Sequence, residues 1–457
     1  MKIVILGAGQ VGSNVAESLV SEANDITVID LDGHRLRELQ DRLDLRTVVG
    51  HAAHPSTLRQ GGIEDADMVI AVTQSDETNL VACKLAAQLF NVPNRIARVR
   101  ATEYQLDDRI LSDDGFSVDF SICPEQLLTE YIVKLVHFPE ALQVLEFAQG
   151  KVSLVAVRAF EGGPLVGRPL REMKQHIPSL EARIAAIFRS DRAILPEGDT
   201  VVEAGDEVFC LAATHDIREV LRELRRMDRP VRRVMIAGGG KIGERLAKAL
   251  ESDYIVKLIE FSHARCQQLS EELESTLVLE GDVTDEELLE TENVAEMDLF
   301  VAVTNDDENN IMSSLLAKRM GARRVVALIN RRAYVDLLQA GQIDVAIAPA
   351  QITIGSLLAR VRRGDITQVH SLRRGAAEAL EAIVHGDRNS CKCVGRRVDE
   401  IELPRGTAIG AIVRGDQVLM PHRDIVVQPE DHMIMFVTNK KTLPQVEKLF
   451  QVGATFF

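Results

Sequence analysis

Two sets of residues in this chain have the types and spacing to hold a phosphate and a ribose together. Gly7, Gly9 and Gly12 form a G-x-G-x-x-G pattern, with Ala8, Gln10 and Val11 between them, and Asp30 follows 18 residues after Gly12. The first glycine allows a tight turn, the second lets backbone approach a pyrophosphate, and the third lets a helix pack closely on a strand. A helix start also offers unpaired N–H groups and the positive end of its dipole to phosphate. A carboxylate ending the next strand can accept hydrogen bonds from an adenosine ribose. The construction returns at Gly238, Gly240 and Gly243, with Gly239, Lys241 and Ile242 between them, and ends on Glu260.

This chemistry needs a buried strand before each glycine set and a helix behind it. Ile3 to Leu6 is a fully apolar run bounded by glycine, as in a buried parallel strand. Val11, Val15 and Leu19 follow at helical spacing, and Ile26 to Ile29 form a second β-type run. The glycines alone are weak evidence; strand, loop, helix, strand and terminal acid together are strong. The offset of 231 continues downstream, where AVTQSDETN (Ala71 to Asn79) answers AVTNDDENN (Ala302 to Asn310). It drifts to 225 where IAAIFRSDRAILP (Ile184 to Pro196) answers IGAIVRGDQVLMP (Ile409 to Pro421). The chain therefore reads as a tandem duplication.

The expected fold class is α/β: two Rossmann-like domains with doubly wound parallel sheets, at 1–125 and 231–350. Each is followed by a small α+β lobe, at 140–228 and 366–457, where β-rich runs alternate with Gly, Pro and Asp turns. Ser75 is expected to cap a helix whose core face includes Leu80, Val81, the stem of Lys84 and Leu85. His34 to Asp44 reads as a surface helix. Ser190-Asp191 reads as a hairpin turn, Ile217 to Arg233 as an amphipathic closing helix ended near Pro230, and Arg100 as an exposed strand-end charge. The acidic run Glu271 to Asn293 reads as exposed helix faces around one buried strand.

Composition narrows the function. With 46% hydrophobic and 27% charged residues, the 457-residue chain has the make-up of a soluble globular protein. No run of about 18 apolar residues suggests a membrane span, and the N-terminus is expected to enter the first strand without a signal peptide. A net charge of −16, four Tyr and no Trp argue against nucleic-acid binding. The six cysteines are expected to stay reduced, and Cys391-x-Cys393 lacks partners at zinc spacing. His51 and His54 have no third ligand, so no metal is expected.

These features resemble the tandem RCK (KTN) family, the regulatory subunits of bacterial Trk-type potassium uptake systems. Besides the paired glycine loops and acids, the resemblance rests on the G-[H/D]-x-x-[H/D] turns at Gly50 and Gly281 and on the AVT-x-x-[DE]-x-x-N turns. DEVFCLAA, LVGRPL and SLRRG extend it over the whole chain. It implies NAD(H) binding, with ATP or ADP possible chiefly at the second site. It further implies a homo-oligomeric ring, dimer or tetramer, attached to the cytoplasmic face of the inner membrane through a potassium-translocating subunit of the TrkH/TrkG type. Carried over by position, site one comprises Gly7 to Gly12, Asp30, Gly50, His51, Thr73, Gln74 and Arg98. Site two comprises Gly238 to Gly243, Glu260, Gly281, Asp282, Thr304 and Asn305. The copies differ where His51 faces Asp282, where Arg98 faces Leu328, and where Gln10-Val11 faces Lys241-Ile242.

Two other classes compete. An NAD-dependent oxidoreductase would need a substrate domain and a hydride-transfer constellation, which neither half supplies. A redox-sensing transcription factor would need a basic reading helix. The expectation is a regulatory subunit, not an enzyme, with no catalytic residues.

Overall fold

The computed structural model describes residues 1–457 except 21–23, 179, 190–191, 225–228, 332, 335–341, 363–364, 374–375 and 452–457. The chain divides into two compact units, 1–128 with 349–357, and 129–348 with 358–457.

The first unit alternates strand and helix: β1 (Lys2–Leu6), α1 (Gln10–Val20), β2 (Asp25–Asp30), α2 (Gly33–Gln40), β3 (Arg46–Val49), α3 (Pro55–Gln60), β4 (Met68–Ala71), α4 (Asp76–Phe90), β5 (Asn94–Arg98), α5 (Asp108–Leu111) and β6 (Phe120–Ile122). Its sheet order is β3-β2-β1-β4-β5-β6, and every pairing is parallel. β4 is buried throughout, as a strand covered on both faces must be. The order reverses between β1 and β4, so the crevice beyond their C-terminal ends is where this architecture takes a ligand. The helix α6 (Pro124–His137) then leads into the second unit.

That unit repeats the construction with β12 (Arg233–Ala237), α9 (Lys241–Leu250), β13 (Ile255–Glu260), α10 (His263–Glu272), β14 (Leu277–Glu280), α11 (Glu286–Thr291), β15 (Leu299–Ala302), α12 (Asp307–Met320), β16 (Val325–Leu328) and β17 (Val345–Ile347). The sheet order β14-β13-β12-β15-β16-β17 mirrors the first.

The small lobes are two antiparallel five-stranded sheets. β7 (Ala141–Phe147), β8 (Val152–Arg158), β9 (Ala182–Arg189), β10 (Arg192–Ile194) and β11 (Glu207–Ala213) form the first, with α7 (Met173–His176) and α8 (Ile217–Arg222). β18 (Ile366–Leu372), β19 (Ala377–Ile383), β20 (Thr407–Arg414), β21 (Gln417–Leu419) and β22 (His432–Val437) form the second. They share one hydrophobic core, in which Phe147, Phe188, Phe209 and Leu211 pack with Ala379, Val413, Ile434 and Phe436. Glu381 accepts the Ala148 backbone N–H at 2.7 Å, and Arg183 donates to the Ile409 carbonyl at 2.8 Å. Duplication thus gave each lobe the other as the cover for its apolar face. Each lobe also keeps its own bidentate pair on a buried aspartate, Arg189 on Asp206 and Arg414 on Asp431.

Several sequence expectations hold. Ser75 caps α4 by accepting the Thr78 N–H at 3.0 Å, and β9 and β10 pair as a hairpin. The helix Leu443–Phe450 in the second lobe also buries Leu443, Val446, Leu449 and Phe450.

Others are corrected. Val81 is 40% exposed, because the inner face of α4 is Asn79, Leu80, Ala82, Cys83 and Ala86. Helix α2 stops at Gln40, short of Asp44. Arg100 is not a free strand-end charge, since buried Asp76 receives its side chain and the Arg100 and Ala101 backbone N–H groups. β14 is a half-exposed edge strand, with Leu277 49% exposed, where a buried strand was expected. Ser190, Asp191 and Met227 lie outside the described residues.

Candidate nucleotide sites

β1 ends because Gly7 turns the chain at φ +109°, and β12 ends likewise at Gly238 with φ +112°. Only glycine takes this conformation without strain. The third glycine then closes on the turn itself. A Cβ at Gly12 would lie 1.8 Å from the Gly7 carbonyl oxygen, and one at Gly243 1.9 Å from that of Gly238. The middle glycines are the opposite case: a Cβ at Gly9 or Gly240 would meet nothing within 4 Å. That opening, beside a helix start, suits a pyrophosphate that backbone must approach closely. Gly240 caps α9 without any side-chain hydrogen bond, whereas Ser262 and Asp306 cap α10 and α12 with theirs. The first N–H groups of α9 therefore stay available to an anion.

The strand-end acids are built into the loops. Asp30 accepts the Ala8 N–H at 2.5 Å and the Asp32 N–H at 2.8 Å on different oxygens. Glu260 accepts the Gly239 and Ser262 N–H groups, both at 2.8 Å, in the same way. An ionised carboxylate has about four lone-pair positions, so each oxygen keeps capacity for a ribose hydroxyl.

At the C-terminal ends of β3 and β14, Gly50 and Gly281 join the strand to a short turn. A Cβ would come within 2.6 Å of the Thr57 side chain at Gly50 and 2.5 Å of Leu288 at Gly281. His51 Nδ1 accepts the Ala53 N–H at 3.1 Å, and Asp282 accepts the Thr284 N–H at 2.8 Å. The two side chains do one job with different charge. Hydrogen bonds from the Thr284 backbone and hydroxyl hold the Asp282 carboxyl below its ordinary range.

Across the crevice, Thr73 and Thr304 are fastened by residues that the sequence reading left out of the site. Buried Asn79 accepts the Thr73 N–H at 2.9 Å and its hydroxyl at 2.7 Å, and donates to the Arg98 carbonyl at 2.9 Å. Asn310 repeats this on Thr304 and Leu328. Both close the AVT-x-x-[DE]-x-x-N motif, which was the available signal. Gln74 and Asn305 are exposed, and the Gln74 carbonyl accepts from Arg100. Arg98 is held by Glu125 at 2.9 Å, the two side chains 16% and 15% exposed. In the second half the equivalent positions are Leu328 and Ala350. Lys241 is exposed, with no hydrogen bond or ion pair among the described residues.

Two open glycine cradles, each with a carboxylate at the second strand end, define a tandem protein of the nucleotide-binding class. Residues 3–121 and 234–349 match the TrkA-N domain, and 154–225 and 388–451 match the TrkA-C domain. The chain is 58% identical to the Trk system potassium uptake protein TrkA of Halomonas elongata and 56% identical to that of Vibrio alginolyticus, over 100% of each chain. The chain belongs to the TrkA family. It is a regulatory subunit of a potassium uptake system, not an enzyme. A crystal structure of the GsuK RCK domain shares the fold at TM-score 0.62 and 17% identity, covering 98% of this chain and 94% of that one. The GsuK channel bound to NAD superposes at TM-score 0.61 and 17% identity, over 98% of this chain and 78% of that one. Among the described residues no helix is long and apolar enough to cross a membrane.

Proposed function

We propose that this chain is a nucleotide-sensing gating subunit, docked on the cytoplasmic face of the inner membrane against a potassium-translocating subunit of the TrkH/TrkG type. Site one takes NAD(H) and site two takes ATP or ADP, in a homo-oligomeric ring that is a dimer or tetramer of the chain. The observation that carries this is the open cradle at Gly9 and again at Gly240, each next to a carboxylate with spare acceptor capacity. A channel of the same fold, GsuK, bound to NAD is consistent with the ligand class. Exposed apolar residues at equivalent places on α4 and α12, Val81 at 40% and Met312 at 58%, supply faces for ring contacts. Gating then requires a nucleotide that binds one ring arrangement better than another, since equal affinity shifts nothing. A coupling of about 1–3 kcal/mol would change activity about 5- to 150-fold.

The test is a calorimetric titration of the full chain with NADH, NAD, ATP and ADP, counting sites. NADH should bind without being consumed and should outcompete NADPH, because Asp30 repels a 2′-phosphate. Asp30→Ala should weaken NADH by about 1.5–3 kcal/mol, the scale of hydrogen bonds to a charged group. NADPH binding the unaltered chain as tightly as NADH would overturn the ribose assignment.

A further inference from the structure

The arginine five residues after each strand-end acid occupies the same position in both halves but is spent differently. In the first half, Arg35 lies 3.3 Å from Asp32, the charged cap of α2, and both side chains are 47% exposed. The carbonyl of Ala8, in the middle of the glycine loop, is held instead by the Ser13 hydroxyl at 3.0 Å. In the second half the cap is Ser262, which has no charge to hold the arginine, and the place of Ser13 is taken by Glu244. Arg265 turns onto the loop. Its Nε donates to the Gly239 carbonyl at 2.8 Å and its Nη2 to Glu244 at 2.6 Å. Lys248 reaches the other oxygen of Glu244 at 3.0 Å. Burial opposes ionisation of Glu244, yet the hydrogen bonds from Arg265 and Lys248 hold its carboxyl below the usual range.

We propose that Arg265 is a specificity-determining residue of site two, a guanidinium held in reserve by Glu244 for a nucleotide carrying several phosphate charges. This rests on the nucleotide reading of the second cradle. Of the five guanidinium hydrogens two are engaged, and the side chain remains 23% exposed, so the others can reach a ligand at the loop. Glu244 competes with that ligand. It keeps the arginine compact against the loop and tempers its pull on anions.

The experiment uses the full chain carrying Gly9→Glu, whose side chain fills the first cradle, with ATP, ADP and AMP titrated at low and high salt. Arg265→Gln should weaken ATP about tenfold, the value of a charge-assisted hydrogen bond. Glu244→Gln should tighten ATP about threefold at low salt and less at high salt, where charges are screened. Arg265→Lys, which keeps charge but not the fork, should fall between. The opposite signs are the signature, because a clamp that only braces the loop would lose affinity in both variants. Weaker binding in both, or no change in either, overturns the role of Arg265 and leaves the second site assigned. ATP failing to bind the Gly9→Glu parent, when that chain unfolds like the unaltered one, overturns both assignments.

Discussion

On α1, Glu17 faces Arg42 at 3.3 Å; at the same two places in the second half, Lys248 faces Glu272 at 3.5 Å. The pair is conserved in function and reversed in sign. Surface pairs of this kind contribute about 0–1 kcal/mol whichever partner carries which charge, so nothing in folding resists the exchange. The turns beneath them tell the opposite story. Gly7 and Gly238, Gly12 and Gly243, Asn79 and Asn310, and Asp76 and Asp307 make the same contacts in both halves. Backbone held in one geometry allows one solution, whereas charge around a cradle is free to diverge, and it diverges where a ligand would feel it. Gln10, Ser13 and Arg98 in the first half stand against Lys241, Glu244 and Leu328 in the second.

The largest effect should come from the shared scaffold. Gly12→Ala would place a Cβ 1.8 Å from a carbonyl oxygen that cannot move without unmaking the turn, and Gly243→Ala one at 1.9 Å. Each should destabilise its own fold by about 3 kcal/mol or more, the upper end for overpacking. Each should also reduce the binding stoichiometry by one site while leaving the other. Thermal unfolding with calorimetric site counting reads both. If either substitution costs less than about 1 kcal/mol, the halves do not share the tight turn that the comparison requires.

A smaller effect separates structure from ligand binding at Arg98. Replacing it with the leucine of the second half removes the arginine partner of a mostly buried Glu125 and should cost about 3 kcal/mol. Adding Glu125→Ala, which completes the exchange to Leu328 and Ala350, should recover all but about 1 kcal/mol. A double-mutant cycle in urea measures the coupling. NADH affinity then sharpens the comparison. If Arg98 touches ligand, the stable double variant binds NADH weakly; if it serves only Glu125, binding returns with stability.

Much of this was legible in the chain. A buried parallel strand is nearly all apolar, and glycine is the one residue for a φ near +110°, so β1, β12 and the loops announce themselves. What stayed hidden depends on partners distant in sequence. The apolar run in Val152 to Val157 says that a strand is buried but not against what, and part of its cover turned out to be the other lobe. The pairing of Arg98 with Glu125 joins residues 27 apart in sequence, beyond any local pattern. Val81 looked internal by hydrophobicity, yet its position on α4 puts it outside Asn79 and Ala82. Arg265 carried no signal until its cap was seen to be Ser262 where the first half has Asp32.

The smallest effect tests the division between the sites at its weakest point. Lys241 is exposed, at the first position of α9, where Gln10 stands in α1. A lysine there adds a full positive charge to the dipole end and to the free N–H groups, and favours the ligand with more phosphate charge provided its ammonium reaches it. Because the ammonium is solvated, the gain is modest and shared with salt. Lys241→Gln should therefore lower ATP affinity at site two by about 1 kcal/mol at low ionic strength and by less at high, the scale of an exposed charge near a helix end. NADH at site one should be unchanged. The reciprocal Gln10→Lys should raise ATP affinity at site one by a similar amount if the charge acts through the cradle alone. ATP binding to an occupied site two that ignores Lys241→Gln at every salt concentration would mean that this lysine faces solvent, leaving the asymmetry to Arg265 and Glu244.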